Sequence, residues 1–326
     1  MPILNVTHYP GRHCASTAIS DLIRFHGYLL TEAMCFGIGE GLGIWYLSPS
    51  GTTPSRMLHV RTADLEAQFF KGAGHPFSWE QFDNPEQSEK YLCRRLDEGK
   101  PALLRTDIYH LPYYNSSTHF PGHLITVWGY DEREKLFFVT DTERKESLPV
   151  PFDKMRLARY SNGGFINIKG DMFAPDFIEF SGYFPKIIRT AIIKNSRALT
   201  EPLNDSSGLN ALYKMKKEMR DWSEIDDWKW IARFTYQVIE KRGTGGNGFR
   251  LMYHDFLRQA SEFVPEIAES GLDRMMMEAG VAWRDFAIAL KEASEENMPD
   301  FTESIDKLTR LIKKEIAYHK AALKLG

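Results

Sequence analysis

Apolar residues along the first 200 positions follow short, alternating patterns. Two segments, residues 15–26 and 85–98, place apolar side chains at helical spacing. Three short apolar runs are typical of strands: residues 102–108, 124–130 and 136–140. The polar connection 131–135 is short enough to join the last two runs as a hairpin. Helices mixed with antiparallel strands predict an α+β fold for residues 1–200.

The pattern becomes helical after residue 200. Residues 201–208 are rich in Pro, Asn, Asp, Ser and Gly, which is typical of a linker or loop. Beyond this stretch, five segments repeat apolar residues with a period of 3.6: residues 209–220, 223–242, 249–263, 272–294 and 300–324. We therefore predict an all-α domain over residues 201–326 that covers the groove of the first domain.

Composition and charge narrow the possible functions. The chain has 326 residues and a net charge of −3, which gives no reason to expect a nucleic-acid partner. It has no run of 18 apolar residues, and its first residues lack the pattern of a signal peptide. These features predict a cytoplasmic protein that does not contact membranes. The three cysteines are too few for a disulfide framework and form no CxxC pair, so we predict neither a metal nor a bound cofactor.

Cys14 is the cysteine with the most informative position. It follows Gly11-Arg-His13 and opens the first predicted helix. The unpaired amide groups and the positive dipole end at a helix start stabilise a thiolate, the form that acts as a nucleophile. Cys35 and Cys93 lie in apolar helical surroundings, and we predict that they are buried, unreactive thiols.

His123 and Asp141 are the candidate base and its partner. A hairpin centred near Arg133 places residue 123 opposite residue 143 and Asp141 opposite residue 125. Both side chains then point to one face as diagonal neighbours, within reach of an imidazole–carboxylate hydrogen bond. His119 lies four residues before His123, but the intervening Phe-Pro-Gly prevents a helix and therefore a zinc site of that type.

Three stretches of the sequence resemble a known family. These are Gly11-Arg-His-Cys-Ala-Ser-Thr-Ala18, Leu30-Thr-Glu-Ala-Met-Cys-Phe-Gly-Ile-Gly-Glu-Gly-Leu-Gly43 and Gly245-Gly-Asn-Gly-Phe-Arg-Leu-Met-Tyr-His-Asp-Phe-Leu257. They are similar to the family of butirosin biosynthesis protein H, and the likeness covers most of the chain. The order Cys, His, Asp, with the cysteine heading the first long helix, also resembles the papain-like cysteine fold.

The resemblance implies a chemistry. The member that gives the family its name transfers an aminoacyl group from an acyl carrier protein thioester to an amine of an aminoglycoside. By this likeness Cys14 is the acyl-accepting nucleophile, His123 the base and Asp141 its orienting partner. Papain-like enzymes commonly place a Gln six residues before the nucleophile to donate to the oxyanion. Here that residue is His8, which either donates similarly or is simply a histidine at a strand end.

A glycine-rich stretch in the second domain is a candidate donor site. It has the spacing of a phosphate loop but lacks the Lys-Ser/Thr that would follow. We predict that it holds the phosphate of a phosphopantetheine-linked donor, and the alternative is a turn between helices. The candidate residues are Gly245, Gly246, Gly248 and Arg250.

Three functions are compatible with these features. The first is a cysteine acyltransferase of specialised metabolism that forms an amide, with an acyl carrier protein or coenzyme A thioester as donor and a small-molecule amine as acceptor. The second is a cysteine peptidase or amidase, which shares the acyl-enzyme but uses water. The third is a catalytically silent binding protein of the same fold. Met-rich and aromatic helices could in addition support a homodimer.

Overall fold

The helices and strands account for most of the chain. The computed structural model describes residues 3–164 and 166–326. The helices are α1 (Cys14–Phe25), α2 (Glu32–Ile38), α3 (Leu65–Gly72), α4 (Pro85–Asp97), α5 (Phe152–Arg159), α6 (Phe184–Thr200), α7 (Gly208–Glu218), α8 (Trp228–Glu240), α9 (Arg250–Ala260), α10 (Glu266–Glu269), α11 (Leu272–Glu295) and α12 (Thr302–Ala322). The strands are β1 (Leu42–Leu47), β2 (Met57–Arg61), β3 (Ala102–Thr106), β4 (His123–Asp131), β5 (Leu136–Thr140), β6 (Leu148–Pro151) and β7 (Met172–Phe173).

Internal contacts divide the chain into two compact units. Unit 1 consists of Met1–Cys35 and Gly74–Ser181, and unit 2 of Phe36–Ala73 and Gly182–Gly326. The predicted domains 1–200 and 201–326 are contiguous, whereas each of these units combines two stretches of chain. Helix α6 lies before residue 201 but clusters with the helical unit. Half of the residues are helical and 12% are in strands, so the chain is of mixed α and β class.

A five-stranded antiparallel sheet forms the framework of unit 1. Its strand order is β6-β5-β4-β3-β7, and the predicted strands and the β4–β5 hairpin are confirmed. Alternate residues of β3 and β4, such as Leu104 and Ile125, point to one face and are fully buried. They form a core with Leu92 and Leu96 of α4 and Met155 of α5. This face of the sheet is therefore part of the dry core of unit 1.

Helix α1 is held to strand β4. The Thr126 hydroxyl donates a hydrogen bond to the Ala18 carbonyl, with the oxygens 3.2 Å apart. The apolar stripe expected for this helix is buried, with Ile19, Leu22 and Ile23 at 0% exposure. A direct bond from sheet to helix fixes where the first residue of α1 lies relative to the strands.

Unit 2 contains the hairpin β1–β2 and helices α6–α12. The five helices predicted after residue 208 are confirmed as α7, α8, α9, α11 and α12, each with ends within a few residues of those expected. Helix α6 was not predicted. In the described part of the chain, no helix is both long and apolar enough to cross a membrane.

A charged pair lies in the interior of unit 2. The Arg250 guanidinium meets the Glu315 carboxylate at two points, Nε–Oε1 and Nη2–Oε2, both at 3.0 Å, and neither residue is exposed. Trp283 Nε1 donates to the same carboxylate at 2.8 Å, and His319 Nε2 lies 3.2 Å from it. Burial alone would raise the pKa of Glu315, but the Arg250 charge holds it well below its usual value. The pair is therefore ionised and mutually dependent.

Removing the charge of Glu315 should destabilise unit 2. Glu315→Gln leaves the Arg250 charge buried without a counter-charge, and we expect a loss of about 3–5 kcal/mol in the free energy of unfolding. Because the pKa of Glu315 is lowered by folding, its contribution is complete above an unfolded pKa of about 4.3 and is lost as the pH falls.

Equilibrium urea denaturation at pH 7 and at about pH 3 measures both effects, since the contribution of Glu315 falls only below about pH 4.3. The matched control is Glu303→Gln on the same helix, where an exposed pair with Lys307 contributes less than about 0.5 kcal/mol. Equal losses in the two variants would contradict the assignment.

Candidate active site

Helix α1 begins at Cys14 because the preceding residue caps it. His13 has an extended backbone with φ −113°, and its ring accepts the Ser16 N–H. The Glu32 carboxylate accepts the backbone N–H groups of Arg12 at 2.9 Å and of His13 at 2.7 Å. These contacts satisfy donors at the helix start, where Cys14 is the first helical residue.

A backbone bond ties this helix start to the end of strand β5. The Gly11 N–H donates to the Thr142 carbonyl at 2.9 Å. A Cβ on Gly11 would lie 2.0 Å from Thr17 Oγ1, so only glycine fits here. The bond brings the segment leading into Cys14 to the residue that follows Asp141.

The β4–β5 hairpin changes register on its way to the site. Near the turn Asp131 pairs with Leu136, whereas near the site Thr126 pairs with Thr140. The two registers differ by one residue because β4 bulges around Trp128.

The bulge decides which face Asp141 occupies. The site-side register places Asp141 opposite residue 125, so its side chain shares a face with His123 as predicted. With the register of the turn, Asp141 would fall opposite Thr126 and its side chain would point to the other face. The extra residue is therefore a requirement of the site.

Cys14, His123 and Asp141 converge in unit 1. His123 Nε2 lies 2.8 Å from Asp141 Oδ2 and 3.0 Å from Oδ1, and the two residues are 4% and 2% exposed. The Cys14 side chain is hydrogen-bonded to the His123 side chain. Since Nε2 faces the carboxylate, Nδ1 is the ring nitrogen left for the sulfur. The three side chains therefore stand in the order thiol, imidazole and carboxylate, which is the order that a nucleophile, its base and an orienting group require.

The electrostatics favour a charged histidine. Burial opposes protonation of His123, but the Asp141 charge and the hydrogen bonds to Asp141 and Cys14 outweigh it, so the pKa of His123 is raised well above its usual value. Burial likewise opposes the charge of Asp141, yet His123 lowers the pKa of this carboxyl. An imidazolium beside Cys14 stabilises a thiolate.

Two tyrosines complete the site and were not predicted. Tyr113 donates its hydroxyl to Asp141 Oδ2 at 2.8 Å. The Tyr114 hydroxyl lies 3.3 Å from His123 Nε2 and 3.4 Å from Asp141 Oδ1, with its ring edge-on to the imidazole. Burial and the nearby Asp141 charge raise the pKa of Tyr113 well above its usual value, so it remains a donor. The sequence does offer a signal for these two site residues, because two adjacent tyrosines stand shortly before the candidate base.

A second histidine–aspartate contact closes the loop that carries these tyrosines. Asp107 accepts from His119 Nδ1 and from the Ser161 hydroxyl, each at 2.6 Å, and from two backbone N–H groups. Ligand atoms of Asp107, His110 and His119 lie within 4.8 Å of one another, so these residues could hold a metal ion. The carboxylate already accepts four hydrogen bonds, and we therefore assign the cluster to holding residues 107–119 closed.

His8 is bound to helix α1 through Asp21. Its side chain is 4% exposed and its Nδ1 lies 2.6 Å from Asp21 Oδ2. Asp21 is seven residues beyond Cys14 on α1, which is about 10 Å along the helix axis. Thr140 also donates to this carboxylate. His8 therefore attaches the N-terminal segment to α1 through Nδ1, its Nε2 is buried without a hydrogen-bond partner among the described residues, and its oxyanion role stays a prediction.

The predicted donor-binding residues belong to the interior of unit 2. They are Gly245, Gly246, Gly248 and Arg250. The Arg250 guanidinium is unexposed and engaged by Glu315, by the Trp283 ring and by the Gly248 carbonyl. A carboxylate, Glu240, already accepts a backbone N–H of the loop at 2.9 Å. The prediction of a phosphate site is corrected accordingly, because a buried paired cation and a neighbouring carboxylate do not suit an anion.

Iodoacetamide should alkylate Cys14 at pH 7 at least about tenfold faster than the other cysteines. Cys14 has a helix start and a charged His123 beside it, both of which favour a thiolate. Burial raises the pKa of Cys35, and it raises that of Cys93 to about 12. Peptide mapping after short labelling measures the order, with Cys14→Ala as control. Faster labelling of Cys93 would contradict the assignment.

Replacing Asp141 by Asn should lower the pKa of His123. Without the carboxylate charge, burial prevails and disfavours the imidazolium. Wild-type His123 contributes stability that is complete below its unfolded pKa of about 6.5 and is lost as the pH rises through the folded value, so the variant should lose stability mainly at neutral pH and below.

NMR titration of the His123 ring in a Cys14→Ala background measures the shift without interference from the thiol. Glu143→Gln, which removes an exposed carboxylate two residues further along, is the matched control. An unchanged His123 pKa in Asp141→Asn would show that the two groups are not coupled.

Two known families match the sequence. Residues 13–142 match the family model "Butirosin biosynthesis protein H, N-terminal", and residues 153–322 match that of a domain of unknown function (DUF4872). The first match runs from one residue before Cys14 to one residue after Asp141, so it contains the whole candidate site. No curated protein matches the sequence. The biosynthetic family suggests an enzyme. The two matches together cover most of the chain, which belongs to the butirosin biosynthesis protein H-like family.

Proposed function

We propose that the protein is a cysteine acyltransferase that forms an amide. The observation that carries this proposal is the convergence of Cys14, His123 and Asp141, with the thiol hydrogen-bonded to an imidazole that the carboxylate holds. The family suggests a role in specialised metabolism, where acyl groups are attached to small-molecule amines. The proposed donor is a thioester of an acyl carrier protein or of coenzyme A.

A papain-like origin of unit 1 is part of the proposal. A helix headed by the nucleophile is bonded to an antiparallel sheet through Thr126, and the base is the first residue of strand β4. Asp141, which directly follows the neighbouring strand β5, takes the orienting role. This order of elements supports the assignment of roles, since such a triad is recognised by geometry rather than by position.

In the first half-reaction, the Cys14 thiolate attacks the thioester carbonyl. Amide groups of the first turn of α1 are the donors that the position of Cys14 offers to the oxyanion. When the tetrahedral intermediate collapses, the donor's C–S bond breaks and the His123 imidazolium gives its proton to the departing thiolate. The products are a free thiol and a Cys14 acyl-enzyme beside a neutral imidazole.

In the second half-reaction, the neutral imidazole accepts a proton. The acceptor amine attacks the acyl-enzyme carbonyl, its proton passes to His123, and the bond to Cys14 Sγ breaks. The amide leaves, and the thiolate and imidazolium are restored. Asp141 stays ionised throughout and stabilises the positive charge on the ring, while Tyr113 fixes the carboxylate in place.

The acyl-enzyme is the intermediate that tests the proposal. Butyryl-N-acetylcysteamine thioester should add one butyryl group to the wild-type protein, measured as intact mass, and none to Cys14→Ala. His123→Ala should slow the addition by about a hundredfold or more, because the imidazolium no longer favours the thiolate or protonates the leaving group. Cys93→Ala is the matched control and should be acylated like the wild type.

The second step separates transfer from hydrolysis. If an aminoglycoside accelerates loss of the butyryl group and appears as the butyryl amide, the protein is a transferase. Release into water at a rate that amines do not change would identify a hydrolase instead. No adduct with any thioester, or a loss below about tenfold in His123→Ala, would overturn the assigned roles.

A further inference from the structure

Arg144 lies beside the candidate site, and no acidic residue of the described chain is its partner. Its backbone N–H donates to the Asp141 carbonyl at 3.1 Å. Its guanidinium carbon lies 4.2 Å from the centre of the Tyr114 ring and 4.9 Å from that of Tyr113. The Tyr114 ring is in turn 5.2 Å from the His123 ring. A single phenol ring therefore separates this cation from the catalytic imidazole.

The hydrogen bonding of this guanidinium is incomplete. Nη2 reaches the Tyr113 carbonyl only at 3.4 Å, and Nη1 is buried with no acceptor among the described residues. No carboxylate of residues 3–164 and 166–326 forms an ion pair with Arg144, although Glu143 and Glu146 are close along the chain. Of the other arginines of unit 1, Arg95 forms an ion pair with Asp176, whereas the buried Arg159 donates to the uncharged oxygens of Ser88 and Gly170. A buried donor without an acceptor costs free energy, and an acceptor that reaches Nη1 would remove this cost.

We propose that Arg144 binds a negatively charged group of the acyl donor, so that the preferred substrate is an anionic thioester. This inference rests on the proposed acyl transfer and adds the charge of the substrate to it. A guanidinium presents its N–H groups in a planar fork that matches carboxylate and phosphate oxygens. The guanidinium lies over the rings of Tyr113 and Tyr114. The hydroxyl groups of the same two residues contact Asp141 and His123. Binding of the anion is thus coupled by rigid contacts to the reacting groups.

The required anion has two chemical sources. It is either a carboxylate within the acyl chain or a phosphate in the carrier portion of the thioester. Both supply the oxygens that Nη1 lacks. Three thioesters separate the sources: the succinyl and butyryl esters of N-acetylcysteamine differ in the acyl carboxylate, and butyryl-coenzyme A differs from the butyryl ester in its phosphates.

The test compares acylation rates of Cys14 by intact mass. The wild type should prefer at least one anionic thioester over butyryl-N-acetylcysteamine, and Arg144→Gln should reduce that preference about tenfold or more. Arg144→Lys should keep part of it, because the charge remains while the fork is lost. Arg133→Gln, which removes an exposed cation at the hairpin turn, should leave the preference unchanged. The substrate pair whose ratio changes identifies the source of the anion.

Several outcomes would overturn the inference. One is a wild type with no preference for either anionic thioester. Another is an Arg144→Gln protein in which the rates of anionic and neutral thioesters fall by the same factor, since that is the effect of a purely structural stacking role.

A binding measurement keeps this test independent of catalysis. In Cys14→Ala protein, calorimetry with succinate and with pyrophosphate should show saturable binding that Cys14→Ala/Arg144→Gln loses. If no thioester acylates the wild type, the proposed function fails. The difference in binding between the two proteins then decides by itself whether Arg144 binds an anion. Equal binding, or no binding, in the two proteins rejects the anion site.

Discussion

The ion pair between His123 and Asp141 is the constraint on which the rest of unit 1 depends. Both groups are almost completely buried, so each charge is tolerable only because the other is present. The tyrosine hydroxyls supply the further donors that a buried carboxylate needs. The result is an imidazolium kept charged in the interior, and such a charge stabilises the thiolate form of a neighbouring thiol such as that of Cys14.

The bulge at Trp128 shows how much of this site the sequence could predict. Equal parity of His123 and Asp141 around a centre at Arg133 predicted the diagonal contact, and the contact is present. The turn itself, however, is centred between Arg133 and Glu134, which would have put the carboxylate on the wrong face. One extra residue in β4 corrects the register between turn and site. Nothing in the alternation of apolar residues marks that bulge, because the strand is buried on both sides along this stretch.

The unpredicted features depend on contacts between distant residues. Tyr113 and Tyr114 lie in an irregular loop without periodicity, and the Asp107–His119 contact that closes this loop joins residues 12 positions apart. His8 has the spacing of an oxyanion donor, and the fold gives its Nδ1 a partner in Asp21, two turns along α1 from Cys14. Spacing along the chain therefore identifies candidate side chains, while their roles follow from the partners that the fold gives them.

Arg144 and Arg250 illustrate the same principle with one residue type. Both guanidiniums stack on aromatic rings, and both are largely withdrawn from water. Arg250 meets both oxygens of Glu315, so its charge is neutralised within the fold and its loss would be a loss of stability. Arg144 meets no carboxylate in the described chain. Its positive charge is therefore not neutralised within the fold and attracts a negatively charged group next to Cys14, His123 and Asp141. The difference lies in the partner: it assigns Arg250 to structure, and it is the reason to propose Arg144 for substrate recognition.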